Sequence, residues 1–172
     1  YLNLPIKIIK KKSYDLIEFN GRKNIKPINY KIPSDISSSA FFIVLTILSK
    51  NSELTIKNVN INPSRIGIIK ILKMMNAKIF LRNIKIINGE KISDIHVRSS
   101  TKLKAINCNP KFNSSAIDEF LVIFLVAAKA NGISYFKDLS EMNKKESPRL
   151  KWASKILNLI GSKTIVTNSS IK

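Results

Sequence analysis

The sequence has few of the residues that crosslink a fold or hold a metal ion. Its 172 residues include one cysteine, Cys108, and one histidine, His96. A single cysteine excludes an internal disulfide and is typical of a protein from a reducing compartment. His96 lies in an alternating run of polar and apolar residues, which predicts a position on a strand face, and no cluster of metal-ligand residues accompanies it. The sequence therefore predicts no disulfide framework and no metal site.

Long hydrophobic runs are also missing. The longest ones cover residues 40–48 and 120–128, about half of the roughly 20 residues that span a bilayer as a helix. Both runs therefore predict buried core helices and no membrane span. No basic segment followed by a cleavage site opens the chain, and we expect a cytoplasmic protein.

Acidic residues are scarce: there are 11 of them against 30 lysines and arginines, which gives a net charge of +19. An excess of positive charge favours anionic partners, either nucleic acid or phosphorylated metabolites. The lysines are spread along the length of the chain, however, and aromatic residues are not interleaved with them as a base-stacking surface requires. We expect no nucleic acid partner, although charge alone leaves a basic nucleic-acid-binding module open as an alternative.

Hydrophobic periodicity and turn signals predict an α/β protein. Helices are predicted at residues 40–49, 65–75, 116–130 and 148–160. Strands are predicted at residues 1–9, 14–19, 29–32, 54–59, 78–81, 84–87, 92–97, 103–106, 133–136 and 164–167. The runs 40–48 and 120–128 are apolar on nearly every side, so we expect sheets to surround these helices and almost none of their side chains to be exposed.

The predicted elements repeat along the chain. Helix, strand, helix and strand follow one another from residue 37 to 81 and again from 116 to 167, an offset of about 80–85 residues that indicates a duplicated unit. We divide the chain into the end of a preceding repeat unit (1–30), a repeat unit (31–106) and a second, incomplete repeat unit (107–172). Because the chain begins inside a predicted strand and ends on a turn, we expect a piece of a longer protein.

One stretch combines a helix start with charged side chains. Ser147 and Pro148 predict an N-cap followed by proline at the first helical position, which places Lys145 and Glu146 ahead of the helix and Arg149 in its first turn. A helix start offers N–H groups and partial positive charge to an anion. The side chains of Lys145 and Arg149 add positive charge to this predicted anion-binding site, and Glu146 adds a proton-transfer group. The plain alternative is an exposed, capped helix start with ordinary surface charges.

Five motifs stand in order along the chain. They are Ile32-Pro33-Ser34-Asp35-Ile36-Ser37-Ser38-Ser39-Ala40-Phe41, Asn58-Val59 through Asn62-Pro63-Ser64-Arg65-Ile66-Gly67, Val97-Arg98-Ser99-Ser100, Ile117-Asp118-Glu119, and Lys145-Glu146-Ser147-Pro148-Arg149. Together they resemble the 5-enolpyruvylshikimate-3-phosphate synthase family, also called 3-phosphoshikimate 1-carboxyvinyltransferase, from about residue 30 to the end.

The resemblance implies a fold and a reaction. The fold is an inside-out α/β barrel in two domains, each made of three βαβαββ units with buried central helices, of which this chain would cover a part. The reaction is transfer of the enolpyruvyl group from phosphoenolpyruvate to the 5-hydroxyl of shikimate 3-phosphate, with release of phosphate and without a metal or organic cofactor. We expect these two substrates as partners, and a monomer when the protein is full length.

The resemblance also implies roles for residues around two helix starts. Asp118 matches the aspartate that contacts the target hydroxyl and accepts its proton, and Glu146 matches the glutamate placed for proton transfer at the methylene carbon of phosphoenolpyruvate. Lys145 matches the lysine that contacts shikimate 3-phosphate, and Arg149 matches the arginine that holds phosphoenolpyruvate. Such a set fits the chemistry, because one carbon gains a proton during addition and loses one during elimination.

A further group matches the phosphate contacts of shikimate 3-phosphate. Ser37 and Ser38 match the serine pair that binds this phosphate at the start of a central helix, and Arg65 matches an arginine near the same substrate. The plain alternative for these three residues is helix capping.

The chain departs from the family pattern in several places. Aspartate is usual at the position of Pro148, arginine is usual at that of Asn143, and some members have glutamine at that of Ser39. The amino-terminal lysine and serine-arginine motif and the late histidine-arginine and lysine motifs are absent. We therefore expect half a site in this chain, and little or no turnover by the chain alone.

Two alternatives stay open within the fold: UDP-N-acetylglucosamine enolpyruvyl transferase, against which the loop from Lys145 to Arg149 argues, and a non-catalytic structural fragment of the synthase. For the synthase, the strand at 133–136 joins the two helices that carry the site, so both helix starts should open at the same end of a sheet. We therefore expect Asp118 and the loop from Lys145 to Arg149 to face one cleft.

Overall fold

The computed structural model describes residues 4–21 and 24–172, which fall into two compact units, residues 1–32 and 33–172. The first unit contains an antiparallel hairpin of β1 (Ile6–Lys10) and β2 (Asp15–Phe19). The strand predicted over residues 1–9 begins in residues 1–3, which lie outside the described residues. The strand predicted over 29–32 is wrong, since these residues have no regular structure; Pro27 and Pro33 flank them and neither can donate to a strand ladder.

The second unit opens with α1 (Ile36–Leu48), followed by β3 (Glu53–Asn60). The helix begins four residues ahead of the predicted start because the carboxylate of Asp35 caps it. The next helix, α2 (Gly67–Met74), has no side-chain cap. The predicted cap at residues 62–64 is instead a turn before the helix, in which Asn62 Oδ1 accepts hydrogen bonds from the N–H and the hydroxyl of Ser64.

A three-stranded sheet follows from β3, β4 (Lys78–Ile87) and β5 (Glu90–Arg98), in the order β3-β5-β4. Both outer strands run antiparallel to β5, so they run parallel to each other and α2 makes the crossover between them. Asn88 and Gly89 turn the β4–β5 hairpin with φ values of 49° and 69°, as the Asn-Gly pair predicts. The two strands predicted at 78–81 and 84–87 are one strand with an irregularity around Asn83, whose φ is 51°.

The last part of the chain is built from short elements. They are β6 (Asn107–Cys108), a 3₁₀ turn (Pro110–Phe112), α3 (Asn113–Ala116), α4 (Phe120–Lys129), β7 (Tyr135–Phe136), a second 3₁₀ turn (Ser140–Asn143) and α5 (Arg149–Leu159). β6 and β7 pair in parallel, with α3 and α4 as the crossover. The helix predicted over 116–130 corresponds to α4, which begins at Phe120 because residues 117–119 form a turn after α3. The strands predicted at 103–106 and 164–167 are reduced to isolated bridges.

The core of the second unit lies between the sheet and helices α1, α2 and α4. Its largest fully buried side chains are Phe120, Phe124, Ile36, Ile43, Ile47, Ile68, Ile69, Ile71, Leu72, Met75, Ile95 and Ile123. The expectation that the two apolar helices expose almost no side chain is wrong, however. Phe41, Phe42 and Leu45 of α1 are 66 %, 58 % and 64 % exposed. The elements that pack on α1 are α4, β3 and β5, and they leave one side of this all-round apolar helix uncovered.

Gly67 allows α2 to approach α3 closely. A Cβ atom at this position would lie 2.5 Å from Ser115 Oγ and 2.7 Å from the carbonyl carbon and oxygen of Ser115. Two of these three neighbours are backbone atoms, so a larger residue would have to move α3 itself. Because α3 leads directly to Asp118 at the start of α4, this contact helps to position the candidate site.

Candidate active site

Asp118 lies against two basic side chains from the segment that starts α5. Its Oδ1 is 3.6 Å from Lys145 Nζ and 3.4 Å from Arg149 Nη1. Arg149 also donates from Nη2 to Glu146 Oε2 at 3.0 Å. Asp118 comes just before α4, Arg149 is the first residue of α5, and these two helices pack on each other. The structure therefore brings together the four residues to which the resemblance assigns the two proton transfers and one contact with each substrate.

The start of α5 differs from the predicted one. Ser147 is not the N-cap: Pro148 occupies that position, and no side chain at the N-cap accepts from the helix. Instead, Asn143 Oδ1 accepts from the Leu150 N–H at 3.1 Å, and its amide donates to the Asn168 carbonyl at 3.0 Å. Asn143, at a position where the resemblance implies arginine, thus holds the loop that carries Lys145 and Glu146.

The charges in this cluster differ in exposure and in ionisation. The side chain of Arg149 is 23 % exposed and that of Glu146 is 83 % exposed. A hydrogen bond from its own backbone N–H lowers the pKa of Glu146, and the hydrogen bond and charge of Arg149 lower it further. Glu146 is therefore ionised near neutral pH, which is the form that accepts a proton.

The predicted serine pair occupies the first turn of α1. Asp35 Oδ2 accepts hydrogen bonds from the Ser38 N–H at 2.7 Å and from Ser38 Oγ at 2.9 Å. Burial raises the pKa of Asp35, but hydrogen bonds from Ser38 and the Ser37 backbone, together with the charge of Arg65, outweigh it and the pKa is lowered overall. A phosphate that binds Ser38 would therefore compete with an ionised carboxylate for the same hydroxyl.

Ser37 belongs to a second set of contacts. Its hydroxyl lies 2.5 Å from Glu119 Oε1, and Arg65 Nη2 donates to the same hydroxyl oxygen at 2.7 Å. Glu119 directly precedes α4 and is 3 % exposed. Because Asp118 and Glu119 are consecutive, the set around Ser37 and the cluster around Asp118 meet at the start of α4. The structure thus joins all seven predicted site residues into one region through Glu119.

Glu119 was not among the predicted site residues, although a signal for it exists in the sequence. A carboxylate directly before an unbroken apolar run must be buried with the helix start, and a buried carboxyl requires a partner. Burial raises its pKa, the hydrogen bond from Ser37 and the charge of Arg65 lower it, and the charge of Asp118 raises it; the outcome is a raised pKa. Glu119 therefore holds a proton more readily than an ordinary glutamate.

Two of the cavities in the described part of the chain are lined by both α4 and α5. One of about 240 Å³ lies beside Arg149, with an apolar lining that includes Leu121, Trp152 and Ile156. The other, of about 280 Å³, is lined by the carboxyl ends of α4 and α5, with Lys163 at its edge. Of the predicted site residues, Arg149 lines the first cavity and none lines the second. The apolar cavity therefore lies next to the charged cluster.

Within residues 4–21 and 24–172, no three His, Cys, Asp or Glu side chains are grouped to hold a metal ion. In the same part of the chain, no helix is both long and apolar enough to cross a membrane.

Comparison with known proteins identifies the family. A sequence model described as EPSP synthase (3-phosphoshikimate 1-carboxyvinyltransferase) matches residues 3–172. The chain belongs to this family. A 3-phosphoshikimate 1-carboxyvinyltransferase of Thermoanaerobacter sp. (strain X514) is 41 % identical over 162 residues, which are 90 % of this chain and 38 % of that protein. The enzyme of the same name from Staphylococcus saprophyticus is 36 % identical over 173 residues, 99 % of this chain and 39 % of that protein.

Solved structures agree with the sequence matches. A structure of EPSP synthase from Acinetobacter baumannii superposes with a TM-score of 0.86 at 33 % identity, over 99 % of this chain and 38 % of that one. The predicted α/β class and the predicted family are therefore confirmed, and the alternatives of a UDP-N-acetylglucosamine enolpyruvyl transferase and a nucleic-acid-binding module are not favoured. The chain spans less than two fifths of the length of these EPSP synthase relatives.

Proposed function

We propose that this chain provides the Asp118 half of the active site of an enzyme that transfers the enolpyruvyl group from phosphoenolpyruvate to the 5-hydroxyl of shikimate 3-phosphate. The observation that carries the proposal is the contact of Asp118 with both Lys145 and Arg149, with Glu146 paired to the same arginine. Two carboxylates and two cations in one cluster suit a reaction that moves protons between two anionic substrates. The names of the EPSP synthase relatives give independent support.

In the proposed addition step, the 5-hydroxyl oxygen bonds to C2 of phosphoenolpyruvate and its proton passes to Asp118. Glu146, in its acid form, gives a proton to the C3 methylene, which becomes a methyl group. In the elimination step, the methyl group returns a proton to the Glu146 carboxylate and the bond from C2 to the phosphate oxygen breaks. The proton held by Asp118 leaves with the phosphate, so protons and electron pairs balance over the two steps.

Arg149 connects substrate binding to the protonation of Glu146. In this structure the Arg149 guanidinium lies 3.0 Å from the Glu146 carboxylate and helps to lower its pKa. Its planar fork can instead take the carboxylate or phosphate of phosphoenolpyruvate in two places. Once Arg149 turns to this substrate, one cause of the lowered pKa is removed, and Glu146 can more easily carry the proton that the methylene carbon requires.

The start of α1 is the proposed seat for the phosphate of shikimate 3-phosphate. Ser37 and Ser38 lie in its first turn, where backbone N–H groups and the helix dipole favour an anion. Arg65 already contacts Ser37 and supplies a positive charge at the same point. Lys145, next to Asp118, is the proposed contact to the rest of this substrate.

We further propose a cytoplasmic protein that acts as a monomer when full length, with the two substrates as partners and no nucleic acid. The second candidate, a non-catalytic structural fragment, is favoured by the departures from the family pattern at Asn143 and Pro148. The two candidates differ in whether the Asp118 cluster supports turnover in a complete enzyme.

The test is to graft this chain in place of the matched segment of the Acinetobacter baumannii synthase and to measure phosphate release. Asp118→Asn and Glu146→Gln should each lower kcat by about 10²–10⁴-fold, the usual contribution of a proton-transfer group. Arg149→Ala should mainly raise the KM for phosphoenolpyruvate. Glu141→Gln, which changes an exposed carboxylate in the same unit, is the matched control. An inactive graft, or one in which Glu146→Gln turns over like the parent, would favour the structural fragment.

A further inference from the structure

Glu119 is a buried carboxyl group that the proposed proton transfers do not use. It is 3 % exposed, and its Oε1 is 2.5 Å from Ser37 Oγ, the hydroxyl proposed to bind the phosphate of shikimate 3-phosphate. The same oxygen of Ser37 accepts a hydrogen bond from Arg65 Nη2 at 2.7 Å. The proposed phosphate site therefore contains a buried carboxyl group, in direct contact with one of the hydroxyls that would bind the phosphate.

The hydrogen bonds available to Ser37 depend on the protonation of Glu119. A serine hydroxyl has one hydrogen to donate and two lone pairs that accept. If Glu119 is ionised, it can only accept, so the single Ser37 hydrogen must point to Glu119 and none is left for a phosphate oxygen. If Glu119 is protonated, its O–H can donate to one lone pair of Ser37 while Arg65 donates to the other. The Ser37 hydrogen is then free to donate to the phosphate.

The charge of a bound phosphate also favours the protonated form of Glu119. A phosphate beside Glu119 adds negative charge, which disfavours the carboxylate relative to the acid. Among the groups around it, Arg65 favours the carboxylate, while burial and the neighbouring charge of Asp118 favour the acid. Lys145 and Arg149 contact Asp118 and so compensate part of that negative charge. The charge of a bound phosphate therefore adds to the effect of burial, which already favours the protonated form of Glu119.

We propose that Glu119 is a positioning residue that takes up a proton from solvent when a phosphate group binds at the start of α1, and that this proton frees the Ser37 hydroxyl to donate to the phosphate. The proposal rests on the proposed function, because it takes shikimate 3-phosphate as the ligand. The affinity for this substrate should therefore fall as the pH rises above the midpoint of Glu119. Because one proton is taken up, Kd should rise about tenfold for each pH unit between the midpoint of Glu119 in the free chain and its higher midpoint in the bound chain.

The test is an NMR titration of the 172-residue chain with shikimate 3-phosphate, and separately with inorganic phosphate, between about pH 5.5 and 8.5. Three proteins are compared: wild type, Glu119→Gln and the control Glu141→Gln. In Glu119→Gln the side-chain amide can donate to Ser37 at any pH, so its Kd should lack the tenfold rise per pH unit that wild type and Glu141→Gln show. The ionisation of the phosphate itself is common to all three proteins and cancels in the comparison. If the seat recognises the whole substrate, shikimate 3-phosphate should bind more tightly than inorganic phosphate.

A second measurement does not depend on any variant. In wild-type chain with ¹³C-labelled glutamate carboxyls, the titration midpoint of Glu119 should move to higher pH when shikimate 3-phosphate is added. If shikimate 3-phosphate binds without moving the titration midpoint of Glu119, or if Kd has the same pH dependence in wild type and Glu119→Gln, phosphate binding is not coupled to protonation of Glu119. Either result would contradict this inference without contradicting the proposed function. The absence of any ligand-induced shift at Ser37 and Glu119 near pH 6 would instead contradict the proposed phosphate seat, and the coupling with it.

Discussion

Gly67→Ala is the substitution for which the structure gives the clearest energetic expectation. The added Cβ would lie 2.7 Å from the carbonyl carbon and oxygen of Ser115, closer than nonbonded atoms tolerate, so α2 and α3 must separate. Overpacking of this kind costs about 1–3 kcal/mol. Alanine recovers about 0.5–1 kcal/mol because it loses less backbone entropy than glycine in a helix. We expect a net loss of about 1–2 kcal/mol in the free energy of unfolding.

Urea unfolding followed by tryptophan fluorescence measures this loss. Trp152 is the single tryptophan of the chain and lies in α5, so it reports on the unit that contains Gly67. The double variant Gly67→Ala/Ser115→Ala is the informative control. It removes the contact with Ser115 Oγ but keeps the backbone contacts, and should therefore remain destabilised. Recovery of wild-type stability in the double variant would refute the backbone-contact argument, as would a Gly67→Ala chain as stable as the parent.

Three other predictions concern single side chains. Burial raises the pKa of Glu119, so the folded chain keeps a proton that the unfolded chain loses above the ordinary value of 4.5. Stability should fall as pH rises through this window, by at most about 1.4 kcal/mol per pH unit, and Glu119→Gln should flatten that slope in urea titrations at several pH values. Burial also raises the pKa of Cys108 to about 11, so a thiol reagent at pH 8 should label the urea-unfolded chain and spare the folded one; rapid labelling of the folded chain would contradict this. Asn143→Ala should cost about 1 kcal/mol, because it removes the hydrogen bond to the Leu150 N–H at the start of α5, whereas Ser147→Ala should cost less, since Ser147 is not the cap.

Local signals in the sequence predicted much of the fold. Asn88-Gly89 marked the β4–β5 hairpin, and the two apolar runs marked α1 and α4. The break between α3 and α4 at residues 117–119 was missed because the sequence there contains neither glycine nor proline to signal it. The turn is set by a hydrogen bond from the Glu119 N–H to the Ala116 carbonyl, which no periodicity reveals.

The part of the site that is formed by neighbouring elements of the chain could be predicted from the sequence. Asp118 and Lys145 lie before α4 and α5, two helices that the short strand β7 joins, so their approach follows from topology. The contact between Ser37 and Glu119 is different, since it joins two helix starts that are 82 residues apart in the sequence. Such a contact depends on how α1 and α4 pack, and residue patterns along one segment do not contain that information.

The exposed face of α1 also depends on packing and could not be predicted from the sequence. An all-round apolar helix indicates that it can be buried, but it does not say by which elements. Phe41, Phe42 and Leu45 are exposed because the elements of the second unit that pack on α1 cover its other sides. Full burial therefore cannot be predicted from the apolar sequence alone.

The central claim is that the Asp118 cluster transfers protons, with Glu146 acting at the methylene carbon. The most direct measurement is the incorporation of deuterium from D₂O into the methylene group of phosphoenolpyruvate and product, in the grafted enzyme described above. The grafted parent and its Glu141→Gln control should incorporate deuterium at C3, because addition delivers a solvent-derived proton and elimination removes one of three. Glu146→Gln should incorporate deuterium about 10²–10⁴-fold more slowly, in step with its lower kcat. Deuterium incorporation by Glu146→Gln at the rate of the parent would contradict the account.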